Sequence, residues 1–290
     1  MQFGRVAILG VGLIGGSCAL AWKRAGCVAS VVGVGRSRAN LDRAVELGVI
    51  DEIAPSVTDA VSGADVVLIT TPVGQFGPLL GEAGAALGPE AIITDGGSTK
   101  QDVVAAARAA LGDRMPRFVP AHPIAGAERS GVEAARVDLY DGRNVVLTPL
   151  PETAPDAVER ATALWSATGA RLSRLTPEEH DQVFAAVSHL PHALAFALVD
   201  MIASRPDAGR LFGYAAGGFR DFTRIASSSP EMWRDICLAN RDALLTRLDE
   251  YETAMQGLRA LVEAGDGAGL EALFARARDA RNAWLRSLES

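Results

Sequence analysis

Val6-Ala7-Ile8-Leu9-Gly10-Val11-Gly12-Leu13-Ile14-Gly15 decides the fold. Val6 to Leu9 is a short apolar run ended by glycine, the pattern of a strand buried on both faces. Leu13 to about Gly26 then reads as a helix. Between the two, Gly10 permits a tight turn and Gly12 lets backbone approach a pyrophosphate. Gly15 permits close helix–strand packing, while the helix N-terminus offers N–H groups to phosphates. A G-x-G-x-x-G string is common by itself; here both flanks supply the context a dinucleotide site requires. Gly10, Gly12, Leu13, Ile14 and Gly15 are therefore expected to bind cofactor.

Working outward, the strand pattern recurs at Val31-Val32-Gly33-Val34, Asp65 to Thr70, Ala91 to Thr94 and Arg117 to Pro120, with alanine-rich helical segments between. Such alternation means βαβ units and a parallel sheet, to which Asn144 to Leu147 would add a strand. After Thr176 the texture changes. Thr176-Pro177-Glu178-Glu179 carries an N-cap, a proline at the first helical position and acids in the first turn. From there to Ser290 the patterns are helical. Leu244, Leu248, Tyr251, Met255 and Leu258 recur at helical spacing and predict a long amphipathic helix, facing core or a second subunit. The expectation is an α/β chain: a Rossmann-type parallel-sheet domain over 1–176, then an all-helical domain over 177–290.

Composition narrows the class. At 290 residues the chain is long for one compact core, and 49% hydrophobic with 22% charged residues excludes disorder. A net charge of −7 leaves no basic footprint for nucleic acid or an anionic membrane. The three cysteines show neither metal spacing nor a pairing framework, which points to a reducing, cytoplasmic compartment. The run Val6–Val11 is too short for a signal peptide or a membrane span. His180, His189 and His192 lack a completing carboxylate or cysteine, so no metal site is expected.

The dinucleotide is less sharply specified. An acid at the end of the second strand ordinarily holds the ribose hydroxyls of NAD. Gly33-Val34-Gly35-Arg36-Ser37-Arg38 contains none, so Arg36 and Ser37 tilt the reading toward the 2′-phosphate of NADP. NAD stays open, with Arg36 stacked on adenine.

Four further clusters carry polar residues: Asp95-Gly96-Gly97-Ser98-Thr99-Lys100, Ala121-His122-Pro123 to Glu128, Ser188-His189-Leu190-Pro191-His192, and Gly217 to Arg224 followed by Met232-Trp233-Arg234-Asp235. The first two follow predicted strands, where open α/β sheets place ligands. By type alone His122 is a strand cap or a general base, Ser98 a helix cap or a substrate group, and Asp221 with Arg224 a surface pair or an anion site.

The stretches GVGLIGGS, TDGGSTK, HPIAGAERSG, SHLPHALAFAL, GGFRDFTRIA and MWRDI, in this order, resemble the prephenate/arogenate (cyclohexadienyl) dehydrogenase family over nearly the whole chain. The resemblance implies oxidative decarboxylation of a cyclohexadiene acid on the route to tyrosine, in a cleft between the two domains of a homodimer. It implies that His122 accepts the substrate's hydroxyl proton and that Ser98 orients this hydroxyl or the nicotinamide amide. Arg224, held by Asp221, would grip the ring carboxylate. His189 would meet the substrate's side-chain end, and that of tyrosine if product inhibits. Glu128 would pair with the amine of arogenate, while Ala127 stands where some relatives carry threonine. Other two-domain hydroxyacid dehydrogenases use a lysine on a second-domain helix, and no lysine follows residue 176. A non-catalytic dinucleotide sensor would need the glycine loop but neither His122 nor Arg224. A Ser98–His122–Asp95 hydrolase lacks the G-x-S-x-G elbow.

Overall fold

The computed structural model describes residues 1–126 and 129–289. The first strand, β1 (Phe3–Leu9), enters the glycine turn and leads to α1 (Leu13–Arg24), followed by β2 (Val28–Val34) and α2 (Arg38–Glu46). Next come β3 (Glu52–Ile53), α3 (Val57–Val61), β4 (Val66–Ile69), α4 (Phe76–Ala86), β5 (Ile92–Asp95), α5 (Gln101–Leu111) and β6 (Phe118–Val119). All pair in parallel in the order β3-β2-β1-β4-β5-β6. The order reverses between β1 and β4, which opens a crevice at the carboxyl ends of these strands. Separate apolar clusters cover the two faces, as the unbroken Val/Ile runs demand.

At Pro120 the chain leaves this sheet. β7 (Ala121–Pro123) pairs antiparallel with β8 (Asn144–Leu147), and after α6 (Pro155–Ser166) β9 (Arg171–Arg174) adds in parallel to β8. The strand expected at Asn144 thus forms, but in a second, three-stranded sheet. His122 lies within β7, opposite Val146.

From Pro177 the described residues are helices and turns. α7 (Pro177–Phe184) opens on a capping box between Thr176 and Glu179. It runs through a π-helical turn, Ala185–His189, into α8 (Leu190–Ala203). The run Pro177–Ala203 is long and apolar enough to cross a membrane by length and composition. Within it His180, Asp181 and His189 are buried. Asp181 bonds the start of α5 and His180 bonds His122, so the first turns of this run pack on protein. Then follow α9 (Ala208–Gly213), α10 (Gly217–Thr223), α11 (Pro230–Ala239), α12 (Arg241–Glu263) and α13 (Gly267–Glu289).

The chain forms two compact units, Met1–Arg241 and the remainder from Asp242. The texture change at 176 therefore marks a switch from sheet to helix, whereas the compact body continues to Arg241, because α7 buries its polar residues against α5 and β7. In the second unit α12 and α13 are joined by a turn through Gly265, whose φ of 63° suits glycine. The predicted stripe on α12 runs from buried Leu244 to exposed Met255.

Candidate active site

The glycine loop folds as its sequence dictates. Gly10 has a φ of 102°, and a Cβ on Gly15 would lie 2.5 Å from Thr70 Oγ1 and 2.8 Å from the Gly10 carbonyl. A Cβ on Gly12 would meet nothing within 4 Å. Gly12 is also the N-cap of α1 and has no side chain to take up its first amides. The open space before those amides belongs to a cavity of ≈ 730 Å³. Its walls include Gly10, Gly12, Leu13, Ile14, Arg36, Ser37, Ser98 and His122; the rim is completed by Ser228, Ser229, Glu231 and Met232 of the helical region. Gly15 packs beneath the loop rather than lining it. An apolar space of this size with glycine backbone at one end and a histidine at the other fits a dinucleotide with room for a small ring.

Arg36 and Ser37 both stand at this cavity but are engaged. Ser37 Oγ caps α2 by accepting from Asn40 N at 3.2 Å. Arg36 faces Glu231 at 3.6 Å. Asn40 reaches Val11 O (2.6 Å) and accepts from Val132 N (3.0 Å), so it ties the glycine loop to the chain after the His122 motif.

Ser98 makes no cap, since α5 begins with Lys100 as its N-cap; Ser98 is left facing the cavity. Beneath it Lys100 is fully buried and bonds Asp95 and the Ala121 carbonyl (2.8 Å). Asp95 accepts from Gly97 N (2.8 Å) and Ala121 N (3.0 Å). One ion pair thus fixes the turn bearing Ser98 against the strand bearing His122.

His122 Nδ1 lies 2.8 Å from His180 Nε2, and His180 Nδ1 lies 2.8 Å from Asp181 Oδ1. Asp181 also accepts from Lys100 N and Gln101 N, each at 2.8 Å. Burial pushes His122 well below the usual histidine range, helped by the charges of His180, Lys100 and His189. His180 is lowered chiefly by burial, partly offset by Asp181. Burial alone would raise Asp181, but His180 and the two amides hold it below its ordinary value. The ring of His122 also packs on Phe184, centroids 4.8 Å apart.

Of the remaining expected residues, His189 lies against the Ser98 backbone. His189 is buried, with Nδ1 3.1 Å from Asn240 Nδ2, and its pKa is lowered by burial to about 4. His192 stacks on Trp233, centroids 3.7 Å apart. Asp221 is exposed and pairs with Arg220 at 3.4 Å; Arg224 is exposed and opens the turn leading to Ser228. His189, Asp221 and Arg224 are not among the cavity's lining residues. Glu128 and Ala127 lie outside the described residues. Among the described residues no cluster of three metal-ligating side chains occurs.

Residues 18–174 match the family described as "Prephenate dehydrogenase, nucleotide-binding domain", and residues 176–276 match "Prephenate dehydrogenase, dimerization domain". The chain belongs to the prephenate dehydrogenase family. Among its relatives is the prephenate dehydrogenase of Bacillus subtilis, 42% identical over 96% of this chain and 75% of that protein. The cyclohexadienyl dehydrogenase of Zymomonas mobilis is 36% identical, covering 96% and 95%. The crystal structure of prephenate dehydrogenase from A. aeolicus, in complex with hydroxyphenyl propionate and NAD+, superposes with a TM-score of 0.90 at 38% identity over 98% of each chain. Within this family fold, sequence reading passed over His180 and Asp181 as a functional pair. The available signal was two polar residues placed just after a capping box, with Phe184 one turn beyond His180 on the same helix face.

Proposed function

We propose that the chain oxidatively decarboxylates prephenate, arogenate or both with a nicotinamide dinucleotide, in tyrosine biosynthesis. The observation that carries this is His122 and Ser98 facing one cavity with the glycine loop. The dinucleotide, when bound, accepts the hydride from C4 of the ring. His122 takes the C4 hydroxyl proton as this hydride departs. The C1–carboxylate bond breaks, its electron pair aromatises the ring, and the proton returns to the phenol oxygen. Since aromatisation drives the reaction, the protein's task is alignment and a neutral base, and the lowered pKa of His122 keeps it unprotonated at working pH. Ser98 orients the hydroxyl. Arg224, with Asp221, binds the ring carboxylate and His189 serves the side-chain end; these roles rest on the family motifs. Tyrosine, sharing the product's phenol, is expected to compete for the same seat, and a second copy of the chain to complete a homodimer.

Between the dinucleotides, the engaged state of Arg36 and Ser37 argues against the sequence tilt toward NADP. A carboxylate at Glu231 would oppose a 2′-phosphate, so NAD is the cofactor we favour, and Glu231→Gln should raise the NADP share of kcat/KM. Glu128→Gln should lower the arogenate/prephenate ratio if its carboxylate meets the amine. The deciding assay follows absorbance of reduced cofactor with each substrate and each dinucleotide. His122→Asn should cut kcat by about 10²- to 10⁴-fold with little change in KM. A wild-type protein inert toward both substrates would refute the reading.

A further inference from the structure

Hydrogen-bond bookkeeping across half-buried His122 and buried His180 and Asp181 fixes more than the position of His122. An ionised carboxylate only accepts, so the 2.8 Å contact between Asp181 Oδ1 and His180 Nδ1 requires a hydrogen on that nitrogen. Neutral His180 then presents a bare Nε2. Its 2.8 Å neighbour, His122 Nδ1, must be the donor. The bare nitrogen of His122 is consequently Nε2. The alternative, a doubly protonated His180 donating to His122, is disfavoured by the lowered pKa of His180.

We infer that His180 and Asp181 are positioning residues for the base: they lock His122 in the Nδ1–H tautomer and receive the charge when His122 is protonated. The inference rests on the function proposed above and names the machinery behind its base. As Nε2 takes the substrate's proton, the Nδ1 proton moves to His180 Nε2, and the positive charge comes to rest beside the Asp181 carboxylate. When the phenol oxygen reclaims its proton the shift reverses; no electrons or heavy atoms move along this chain. The separation of charge matters because a cation left on His122 would repel the positive charge that builds on C4 as its hydride leaves, and that repulsion falls when the charge is withdrawn one ring deeper. Asp181 is built for this task. Its oxygens are held by Lys100 N and Gln101 N at the start of α5, two residues beyond Ser98. The same carboxylate thereby registers Ser98 and the partner of His122 against each other. Burial of His180 and Asp181 keeps water from short-circuiting the chain.

The test has a readout that needs no turnover. The chain has four histidines, so imidazole 15N spectra of labelled protein near pH 8 can be assigned by single replacements. Wild type should show His122 as the Nδ1–H tautomer, and His180→Phe should release it to the commoner Nε2–H form. His180→Gln keeps an acceptor for His122 Nδ1 but cannot take a proton. It should retain the tautomer while kcat falls by about tenfold or more and KM stays within about threefold. An Nε2–H His122 in wild type overturns the proposal, whether or not the variants fold. So does a His180→Gln enzyme with kcat near wild type, or with KM alone raised. Failure of the wild type to oxidise prephenate or arogenate would instead refute the functional reading, leaving the tautomer measurement to stand by itself.

Discussion

Gly12 and Gly15 are two glycines of one motif with opposite reasons for lacking a side chain. A Cβ at Gly15 collides with Thr70, the Gly10 carbonyl and Ile8, all parts of the folded protein. A Cβ at Gly12 enters empty space that only a ligand would contest. Gly15→Ala should therefore lower the unfolding midpoint, because Thr70 Oγ1 must give up its 2.7 Å bond to the Gly10 carbonyl. Gly12→Ala should leave the midpoint of the ligand-free protein unchanged yet raise the dinucleotide KM by about tenfold or more, by obstructing approach to the α1 amides. Equal losses of stability in the two variants would contradict this division. The motif assigned both glycines from sequence, Gly12 to the pyrophosphate and Gly15 to helix–strand packing, but not what holds position 15 free of a side chain. That depends on Thr70, sixty residues from Gly10 in the chain and brought beside it by the pairing of β1 with β4.

Strands and helices were legible where they carry a strong local pattern. β4 is apolar throughout, β1 and β5 hold the apolar runs Val6–Leu9 and Ile92–Ile93, and α7 carries its cap, proline and acids in order. β9 was not legible: Arg171-Leu172-Ser173-Arg174 holds one apolar residue and forms only because β8 offers an edge to pair with. The His122–His180–Asp181 chain was illegible for a related reason. Its members are distant in sequence, and the nearest hint, adjacent polar residues on a helix, has a bland reading as solvated surface. At this scale the joint among β5, β7 and α5 hangs on Lys100. Replacing it with methionine would strand the buried Asp95 carboxylate without its counter-charge, at a cost of about 3–5 kcal/mol. Urea unfolding should show this as a large drop in midpoint, while Arg38→Ala, which removes an exposed pair with Asp42, should show no measurable change. A Lys100→Met protein as stable as wild type would mean that Asp95 is held by its backbone donors alone.

For the whole molecule, acid and apolar surface set the behaviour. All four histidines have pKa values lowered by burial, His189 to about 4. In the unfolded chain they protonate near 6.5. Between those values the unfolded state binds more protons, so stability rises with pH there and is lost as pH falls from about 6.5 toward 4. Asp102, raised by burial, works in the opposite direction but is one group against four. The thermal midpoint should drop by several degrees from pH 7 to pH 5, and a flat profile would show that the rings are not buried as described. The second property concerns association. Val187, Met201, Tyr214 and Phe222 are large, apolar or aromatic and exposed, at 67%, 60%, 85% and 55%, on helices and turns of the region that matches the dimerization domain. Scattered apolar residues are ordinary on a surface, but a succession of them from the π-helical turn to α10 is what an obligate subunit interface contributes. Sedimentation at micromolar concentration should therefore give about twice the 30.3 kDa of one chain. Placing glutamate at both Val187 and Met201 should shift the mass toward one chain, because two like charges would be desolvated against their own symmetry mates. A wild-type protein that sediments as a single chain, or a double variant that still pairs, would locate the contact elsewhere.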